Sequence, residues 1–236
     1  MAIYAIGDLH LSFKENKPMD IFGENWKNHE EKIKKNWIEN INDDDIVILP
    51  GDFSWAMHLE ETELDFKYLN ELPGKKILIK GNHDYWWQTV TKMKEFLKQI
   101  NVKNVEFLNN TAIQYDNSLI IGTKGYNYSE QEKNEKLKNR ELIRLNISID
   151  YARENFDYEN NEKICFFHYP PITKNTVQNN QTNEFIELLK SNGVHKCVYA
   201  HLHGFSQIVA FNGTYQGIEF KLVSSDYLNF IPYRIK

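Results

Sequence analysis

The chain has 236 residues and a formal net charge of −5, with 41% hydrophobic and 26% charged residues. This length fits one large domain or two small ones, and the composition is typical of a globular protein with a full core. Because binding along a nucleic acid normally needs a basic stripe, the acidic balance argues against a long nucleic acid as partner.

The sequence indicates neither a disulfide framework nor a membrane segment. Cys165 and Cys197 each lie in an apolar, strand-like run, which predicts a reduced, buried pair. The longest apolar runs are too short to cross a bilayer. The first strand begins at Ala2 and polar site candidates appear by Asp8, which leaves no room for a cleavable leader. We therefore expect a cytoplasmic protein with no membrane partner.

The first hundred residues alternate predicted strands with predicted helices. Buried apolar runs predict strands over 3–7, 46–49 and 77–79, and four-residue apolar spacing predicts helices over 28–41, 61–72 and 88–100. Short connections in this order predict parallel strands with crossover helices. In such sheets ligands bind beyond the carboxyl ends of the strands.

After residue 104 the predicted elements become shorter. Strands predicted over 105–108, 112–115 and 119–122 suggest antiparallel pairing and the start of a second sheet. Later strands are predicted over 164–167 and 197–199, with a helix over 183–191 between them. No repeat or convincing linker interrupts the chain, so we predict a single domain over 1–236.

A long, mostly polar helical stretch is predicted over 129–156, as an insertion that lies over this domain. Its expected packing stripe consists of Leu137, Ile143, Ile147 and Tyr151. Arg140 and Arg144 are candidates for reaching a substrate, although charged helical residues more often form a solvated face.

Metal-binding side chains follow five of the predicted strands. They are two carboxylates, four imidazoles and one amide: Asp8, His10, Asp52, Asn82, His168, His201 and His203. A lone histidine is more often a core or surface residue, but five clusters at corresponding strand ends predict one shared site. Within Asp8-Leu9-His10 and His201-Leu202-His203, alternation along an extended chain would point both ligands the same way.

Seven such ligands are too many for one tetrahedral ion and suit two ions that share a bridge. Asp52, in the middle of the set, is the natural bridge. Asp8, His10 and His203 would complete one ion, and Asn82, His168 and His201 the other. Two divalent ions would bring four positive charges, and Asp8 and Asp52 contribute two negative charges. The remaining positive charge would favour the binding of anions.

Paired metals about 3.5–4 Å apart suit phosphoester hydrolysis, in which a bridging hydroxide attacks phosphorus in line. His83 is not needed as a ligand, so it is assigned to protonate the leaving oxygen or to stabilise the transition state, and with Asn82 to bind substrate. Asp84 is expected to orient the His83 ring and keep it charged. Trp86, within Tyr85-Trp86-Trp87, could stack on a nucleobase or aryl group, although packing against the sheet is favoured.

These blocks resemble the ordered motifs of the calcineurin-like metallophosphoesterase superfamily. They stand here as Asp8-Leu9-His10, Gly51-Asp52, Gly81-Asn82-His83-Asp84, His168 and His201-Leu202-His203, and span most of the chain. The resemblance implies an α/β fold, a four-layer αββα sandwich of two mixed sheets flanked by helices. It also implies the same ligand set, with manganese, iron or zinc as the usual metals.

The chain is also similar to small bacterial predicted phosphohydrolases that share a Gly-Asn-His-Asp-Tyr-Trp-Trp block and a His-Tyr-Pro-Pro block. Two positions depart from the superfamily pattern. Ala200 replaces the glycine usual before the paired histidines, which would be unfavourable if that backbone needed a positive φ. Trp55 stands where many members have Asp or Asn. Neither change removes a ligand.

The sequence therefore predicts a metal-dependent hydrolase that acts on a small phosphomonoester or phosphodiester. The alternative within enzymes is a nucleotide or cyclic-nucleotide phosphodiesterase or pyrophosphohydrolase. The alternative from another class is a non-catalytic scaffold of the same fold, which is disfavoured because every ligand is retained. The substrate, the metals and the oligomeric state are not specified by these motifs.

Overall fold

Eleven strands and six α-helices make up the part of the chain described by the computed structural model, residues 1–15, 17–128 and 134–236. The strands are β1 (Ile3–Ala5), β2 (Ile46–Pro50), β3 (Lys75–Ile79), β4 (Val105–Phe107), β5 (Ile113–Tyr115), β6 (Ser118–Thr123), β7 (Glu162–Phe167), β8 (Lys196–Tyr199), β9 (Gly213–Tyr215), β10 (Ile218–Leu222) and β11 (Tyr233–Arg234). The helices are α1 (His29–Asn40), α2 (Glu63–Glu71), α3 (Val90–Gln99), α4 (Glu135–Asn155), α5 (Lys174–Gln178) and α6 (Glu184–Ser191).

The strands form two mixed sheets. The first sheet has the order β11-β1-β2-β3-β4, parallel except for the β1–β11 pair. The second has the order β5-β6-β7-β8-β10-β9, in which β5 and β9 pair antiparallel with their neighbours and the other pairs are parallel. The short antiparallel strands thus lie at the edges, and the parallel strands occupy the centre.

Alternation along the central strands explains how the sheets stack. In β2, Ile46 and Ile48 pack in a cluster between the two sheets, whereas Val47 and Leu49 face the cluster beneath the helices. Strand β7 behaves in the same way, with Ile164 and Phe166 between the sheets and its other apolar residues facing outward. A strand that is buried on both faces therefore reads as a continuous apolar run.

Helices cover both outer faces. Helices α1, α2 and α3 bury residues such as Trp37, Phe66 and Met93 in the cluster outside the first sheet. Helices α4 and α6 bury residues such as Leu145 and Phe185 outside the second sheet. The layers are thus helix, sheet, sheet and helix, which confirms the predicted four-layer α/β sandwich.

Two predictions about the second half of the chain were wrong. Strand β4 does not begin the second sheet but pairs parallel with β3, because α3 provides another crossover in the first sheet. The expected stripe of α4 is exposed at Leu137, Ile143, Ile147 and Tyr151. The buried face instead carries Glu141, Leu145, Ser148, Ile149 and Ala152. Residues 129–133 of the predicted helical stretch lie outside the described residues.

Two further features concern the chain's cysteines and its relation to membranes. Cys165 and Cys197 are buried, unbonded thiols on paired positions of β7 and β8, as predicted. Among the helices that the structure describes, none is long and apolar enough to cross a bilayer.

Candidate metal centre

The carboxyl ends of the central parallel strands bring six metal-binding side chains together in two groups. One group is Asp8, His10 and His203, and the other is Asp52, His168 and His201. Within each group the candidate ligand atoms lie within 4.8 Å of one another. The two groups come from both sheets, since β1 and β2 belong to the first sheet and β7 and β8 to the second.

The backbone at several of these residues is left-handed rather than extended. The φ angles are 58° at Asp8, 48° at His10, 52° at Asp52 and 74° at His201. Left-handed conformations are costly for residues other than glycine and concentrate at functional sites. Asp8 and His10 therefore approach each other through a strand-end turn. The structure brings the predicted pair into one group, but its geometry is not the alternation of an extended strand.

The positive φ at His201 also answers the concern raised by Ala200. The left-handed residue is His201, while Ala200 is buried beside Gly7. A side chain at Gly7 would collide with the Ala200 methyl group, so the small pair sits where the two sheets meet. Alanine at position 200 is thus accommodated without strain at that residue.

Gly81 allows the loops after β2 and β3 to touch. A Cβ atom at this position would overlap the backbone nitrogen and the carboxylate of Asp52. The His83 backbone N–H donates to Asp52 Oδ1 across 2.8 Å, which holds the same two loops together. The glycine in Gly81-Asn82-His83-Asp84 is therefore required by close approach.

Asp84 has a different role from the one expected. Its carboxylate accepts hydrogen bonds from the backbone N–H groups of Gly81 (2.7 Å), Asp52 (2.9 Å) and Phe53 (3.0 Å), and from Trp86 Nε1 (3.1 Å). The expectation that it orients the His83 ring is therefore wrong, because its oxygens face backbone donors. Burial and then the charge of Asp52 raise the pKa of Asp84 to about 6, which leaves it ionised at neutral pH.

In the first group, Asp8 is held by its backbone and by one carboxylate oxygen. Its Oδ2 accepts a hydrogen bond from the His201 N–H across 2.9 Å. Its Oδ1 lies 3.6 Å from His203 Nε2, too far for a hydrogen bond. His203 is oriented from the other side, where Nδ1 lies 2.8 Å from Asp226 Oδ1. This leaves Asp8 Oδ1 and His203 Nε2 facing the same space.

In the second group, the lone pair of His168 Nε2 faces Asn82 and His201. Burial lowers the pKa of His168, so the ring is neutral, and its Nδ1–H donates to the Pro50 carbonyl across 3.0 Å. Nε2 is then a lone pair, 2.6 Å from Asn82 Oδ1 and 3.2 Å from His201 Nδ1. Burial, followed by the neighbouring His168, lowers the pKa of His201 to about 3, so that ring is neutral as well.

Asp52 belongs to the second group and also lies beside the first. Its Oδ2 is 3.4 Å from His168 Nε2 in the second group and 3.9 Å from His10 Nε2 in the first. Asn82, the amide of the predicted set, adjoins the second group through His168. The arrangement thus places each ligand of the predicted set where it could serve one of two adjoining cations.

The residues fit cations on two counts. Asp8 Oδ1, His10 Nδ1 and His203 Nε2 are buried atoms with no hydrogen-bond partner among the described residues. Burial and then the charge of Asp8 raise the pKa of Asp52 to about 8, as expected when two carboxylates share a buried site. Cations would satisfy these atoms and remove the repulsion.

His83 lies beside the ligands in an aromatic setting. Its ring centroid is 4.6 Å from that of Trp55, 5.9 Å from that of His10 and 6.2 Å from that of Tyr85. Trp55 also stacks on His10, with centroids 4.7 Å apart and an interplanar angle of 22°. The indole that departs from the superfamily pattern thus packs on a candidate ligand and on the candidate catalytic ring. Burial lowers the pKa of His83.

Three residues with weaker assignments lie away from this cluster. Trp86 is fully buried between Phe53 and Phe66, so it packs in the core and the stacking assignment is wrong. Arg140 and Arg144 pair on α4 with the buried carboxylate of Glu141, at 3.6 and 2.9 Å. Their guanidinium groups are not among those that meet at the strand ends.

Asp226 is a site residue that the sequence reasoning missed. It follows β10, whose parallel pairing with β8 carries it to the same end of the sheet as His203. It also accepts hydrogen bonds from the Gly204 N–H (3.2 Å) and Gln207 Nε2 (2.8 Å). The available signal in the sequence was an aspartate shortly after 218–223, a segment that alternates apolar and charged residues as a strand does.

A four-layer sandwich with two adjoining groups of metal-binding side chains at its strand ends defines a protein of the metallophosphoesterase class. The family model for calcineurin-like phosphoesterases matches residues 1–205. The chain belongs to this family, whose members are generally hydrolytic.

The chain is similar to several solved structures at low sequence identity. Phosphopantetheinyl hydrolase from Mycobacterium tuberculosis is 14% identical, with 99% of this chain and 95% of that one covered and a TM-score of 0.55. A protein from Thermus thermophilus is 15% identical, with 88% and 85% covered and a TM-score of 0.52. A protein of unknown function from Aquifex aeolicus is 19% identical, with 99% and 95% covered and a TM-score of 0.49. No curated protein matches significantly.

Proposed function

We propose that the chain is a two-metal phosphoester hydrolase that acts on a small phosphomonoester or phosphodiester. The observation that carries the proposal is the pair of adjoining ligand groups with Asp52 between them. Asp8, His10 and His203 would hold one ion, Asn82, His168 and His201 the other, and Asp52 would contact both. The imidazole, carboxylate and amide donors suit manganese, iron or zinc.

Two bound ions would supply a water that ionises near neutral pH and positive charge beside the phosphoryl oxygens. The protein's contribution is to fix the ligands before substrate arrives. Pro50 holds the His168 ring, Asp226 holds the His203 ring, and the His201 N–H holds Asp8. Such outer contacts orient metal ligands and tune their basicity.

His83 is proposed as the group that handles the leaving oxygen. Its backbone N–H is fixed on Asp52, and its half-exposed ring faces the site beside Trp55. From there the ring could donate a hydrogen bond to a phosphoryl oxygen or a proton to the departing alcohol. The amide of Asn82, one residue earlier, is proposed to contact substrate as well.

The nucleotide or cyclic-nucleotide alternative is favoured by Tyr85. This ring is 55% exposed and lies near His83, where it could stack on a base or aryl group. The acidic chain makes a long nucleic acid an unfavourable partner. A panel of phosphoesters should therefore include a cyclic nucleotide. A phosphopantetheinyl ester belongs in the panel too, because one protein of this fold carries that activity in its name.

The test is hydrolysis of 4-nitrophenyl phosphate and bis(4-nitrophenyl) phosphate with Mn²⁺, Fe²⁺ or Zn²⁺, in the wild type and two variants. Asp52→Asn should lose metal-dependent turnover, and His83→Ala should keep its metal but lose about 10²–10⁴-fold in kcat. The exposed Asp150→Asn and His195→Ala are matched controls that should leave turnover unchanged. Undiminished turnover in Asp52→Asn, or none in a fully metal-loaded wild type, would contradict the proposal; the second result would revive the scaffold.

A further inference from the structure

A large groove adjoins the candidate metal centre. It has a volume of about 1320 Å³ and lies between the loop after β6, the start of α4, the loop after β7 with α5, the start of α6 and the 3-10 helix Gly204–Val209. Pockets for small ligands commonly occupy about 300–1,000 Å³, so the groove could hold a substantial organic group.

One end of the groove opens at the second ligand group. His201 and Leu202 are part of its lining, and His201 belongs to that group. Tyr169 packs against the His201 ring with centroids 4.5 Å apart, which supports the ring from beside the groove. A phosphoester bound at the metal centre would therefore have the groove open to an attached alcohol.

The lining combines apolar and hydrogen-bonding side chains. Pro170, Ile172, Leu202 and Val209 supply apolar contacts, while Asn175 and other residues supply amides and hydroxyls. Such a surface suits an elongated group with alternating apolar and hydrogen-bonding parts.

The charges of the groove are mostly negative. Its charged side chains among the described residues are Glu135, Lys138, Glu184 and Glu187. Lys138 Nζ lies 2.9 Å from Glu135 Oε2 and 2.5 Å from Glu184 Oε1, so its charge is already matched. Glu187 accepts a hydrogen bond from the Thr182 hydroxyl across 2.7 Å. The described lining of the groove therefore carries three carboxylates and one ammonium group.

We propose that this groove binds the alcohol part of the phosphoester, and that this alcohol is elongated and either uncharged or cationic. A second anionic group in the alcohol, such as another phosphate or a carboxylate, is disfavoured by the unmatched glutamates. The inference rests on the proposed hydrolase function and adds a substrate class to it.

The test uses three esters of a six-carbon alcohol that ends in a trimethylammonium, a methoxy or a carboxylate group. They are offered in the ester class, monoester or diester, that the enzyme hydrolyses faster. We expect kcat/KM to fall in that order, mainly through KM, with about fivefold or more between the cationic and anionic esters. Glu187→Lys should reduce or invert the ratio of kcat/KM between the cationic and anionic esters. Glu187→Gln should give a ratio between those of the wild type and Glu187→Lys.

The matched control is Glu95→Lys, an equal charge reversal at an exposed position of α3, outside the groove lining. It should keep the wild-type order. Equal kcat/KM for the three esters, or the same ratio of kcat/KM between the cationic and anionic esters in Glu187→Lys as in Glu95→Lys, overturns the inference, while hydrolysis of the 4-nitrophenyl esters leaves the proposed function standing. Absence of turnover with every ester in metal-loaded enzyme overturns both.

Discussion

At the scale of single residues, the candidate site depends on two kinds of side chain. Some are candidate metal ligands, and others are carboxylates that hold the surrounding loops and ligands in place through hydrogen bonds. Asp84 gathers N–H groups from the loops after β2 and β3. Asp226 aligns His203, and Asp65 on α2 bonds both Ser54 Oγ and the Phe13 N–H, joining two loops near the site. The left-handed residues Asp8 and Asp52 can persist because such contacts hold the surrounding chain.

Asp84→Asn tests the organising role. The amide NH₂ would face backbone donors that the carboxylate now satisfies, and hydrogen bonds to charged groups contribute roughly 1.5–3 kcal/mol each. We expect a loss of about 2–4 kcal/mol in the free energy of unfolding, measured by denaturant titration in EDTA so that metal does not contribute. The exposed Asp116→Asn serves as control.

The contrary outcome is equally specific. If Asp84 acted through the His83 ring, Asp84→Asn would leave the metal-free unfolding curve unchanged. It would instead displace the pH dependence of kcat. That result would restore the sequence-based assignment and contradict the hydrogen bonds described above.

At the scale of elements, strand β3 carries an unusual buried lysine. Lys76 is fully buried beneath α1, with Nζ bonded to the Leu72 carbonyl and 6.0 Å from the centre of the Trp37 ring. Burial lowers the pKa of Lys76 to about 7. The unfolded chain therefore binds more protons than the folded chain between pH 7 and about 10.5, the ordinary lysine value.

Lys76 should make the stability of the protein depend on pH. Stability rises with pH wherever the unfolded state binds more protons, so Lys76 makes folding more favourable from pH 7 upward. Lys76→Met removes that dependence, and the Leu72 carbonyl keeps the Asn104 amide at 3.4 Å. Between pH 7 and 9, we expect the free energy of unfolding of the wild type to increase by about 1–2 kcal/mol relative to that of the variant.

The neighbouring Lys75→Met is the control, since Lys75 has 44% of its side chain exposed and pairs with Glu106. The unfolding free energy of Lys75→Met should change with pH in the same way as that of the wild type. Parallel curves for the wild type and Lys76→Met would show that Lys76 is charged in the folded protein at neutral pH, against this account.

Element prediction succeeded where one pattern was dominant and failed where two competed. The runs that became β2, β3 and β7 are apolar on both faces, so a strand was the natural interpretation. Helix α4 has apolar residues on several faces, and the buried face was obscured because it includes Glu141 and Ser148. Those polar groups are satisfied by Thr123 and by Gly122 and Thr111, which no sequence pattern reveals.

At the scale of the whole molecule, parallel strand ends explain why the motifs were sufficient to predict the fold and most of the candidate site. Asp8, Asp52, Asn82, His168 and His201 follow strands that all end at the same side of the sandwich. Asp226 was not predicted because its place beside His203 depends on the pairing of β10 with β8. The sheet position of β4 was missed because the short strands after residue 104 suggested antiparallel pairing, whereas α3 is a crossover like those before it. The groove beside His201 was not predicted because its walls come from several separate segments.

Two metal ions are proposed to share this site through Asp52, and the proposed function depends on them. The most direct measurement is Mn²⁺ stoichiometry combined with electron paramagnetic resonance of the loaded protein. We predict two ions per chain and a spin-coupled spectrum that Asp52→Asn converts to signals of isolated ions or abolishes, while Asp150→Asn leaves it unchanged. A single bound ion, or two ions without coupling in the wild type, would contradict the account.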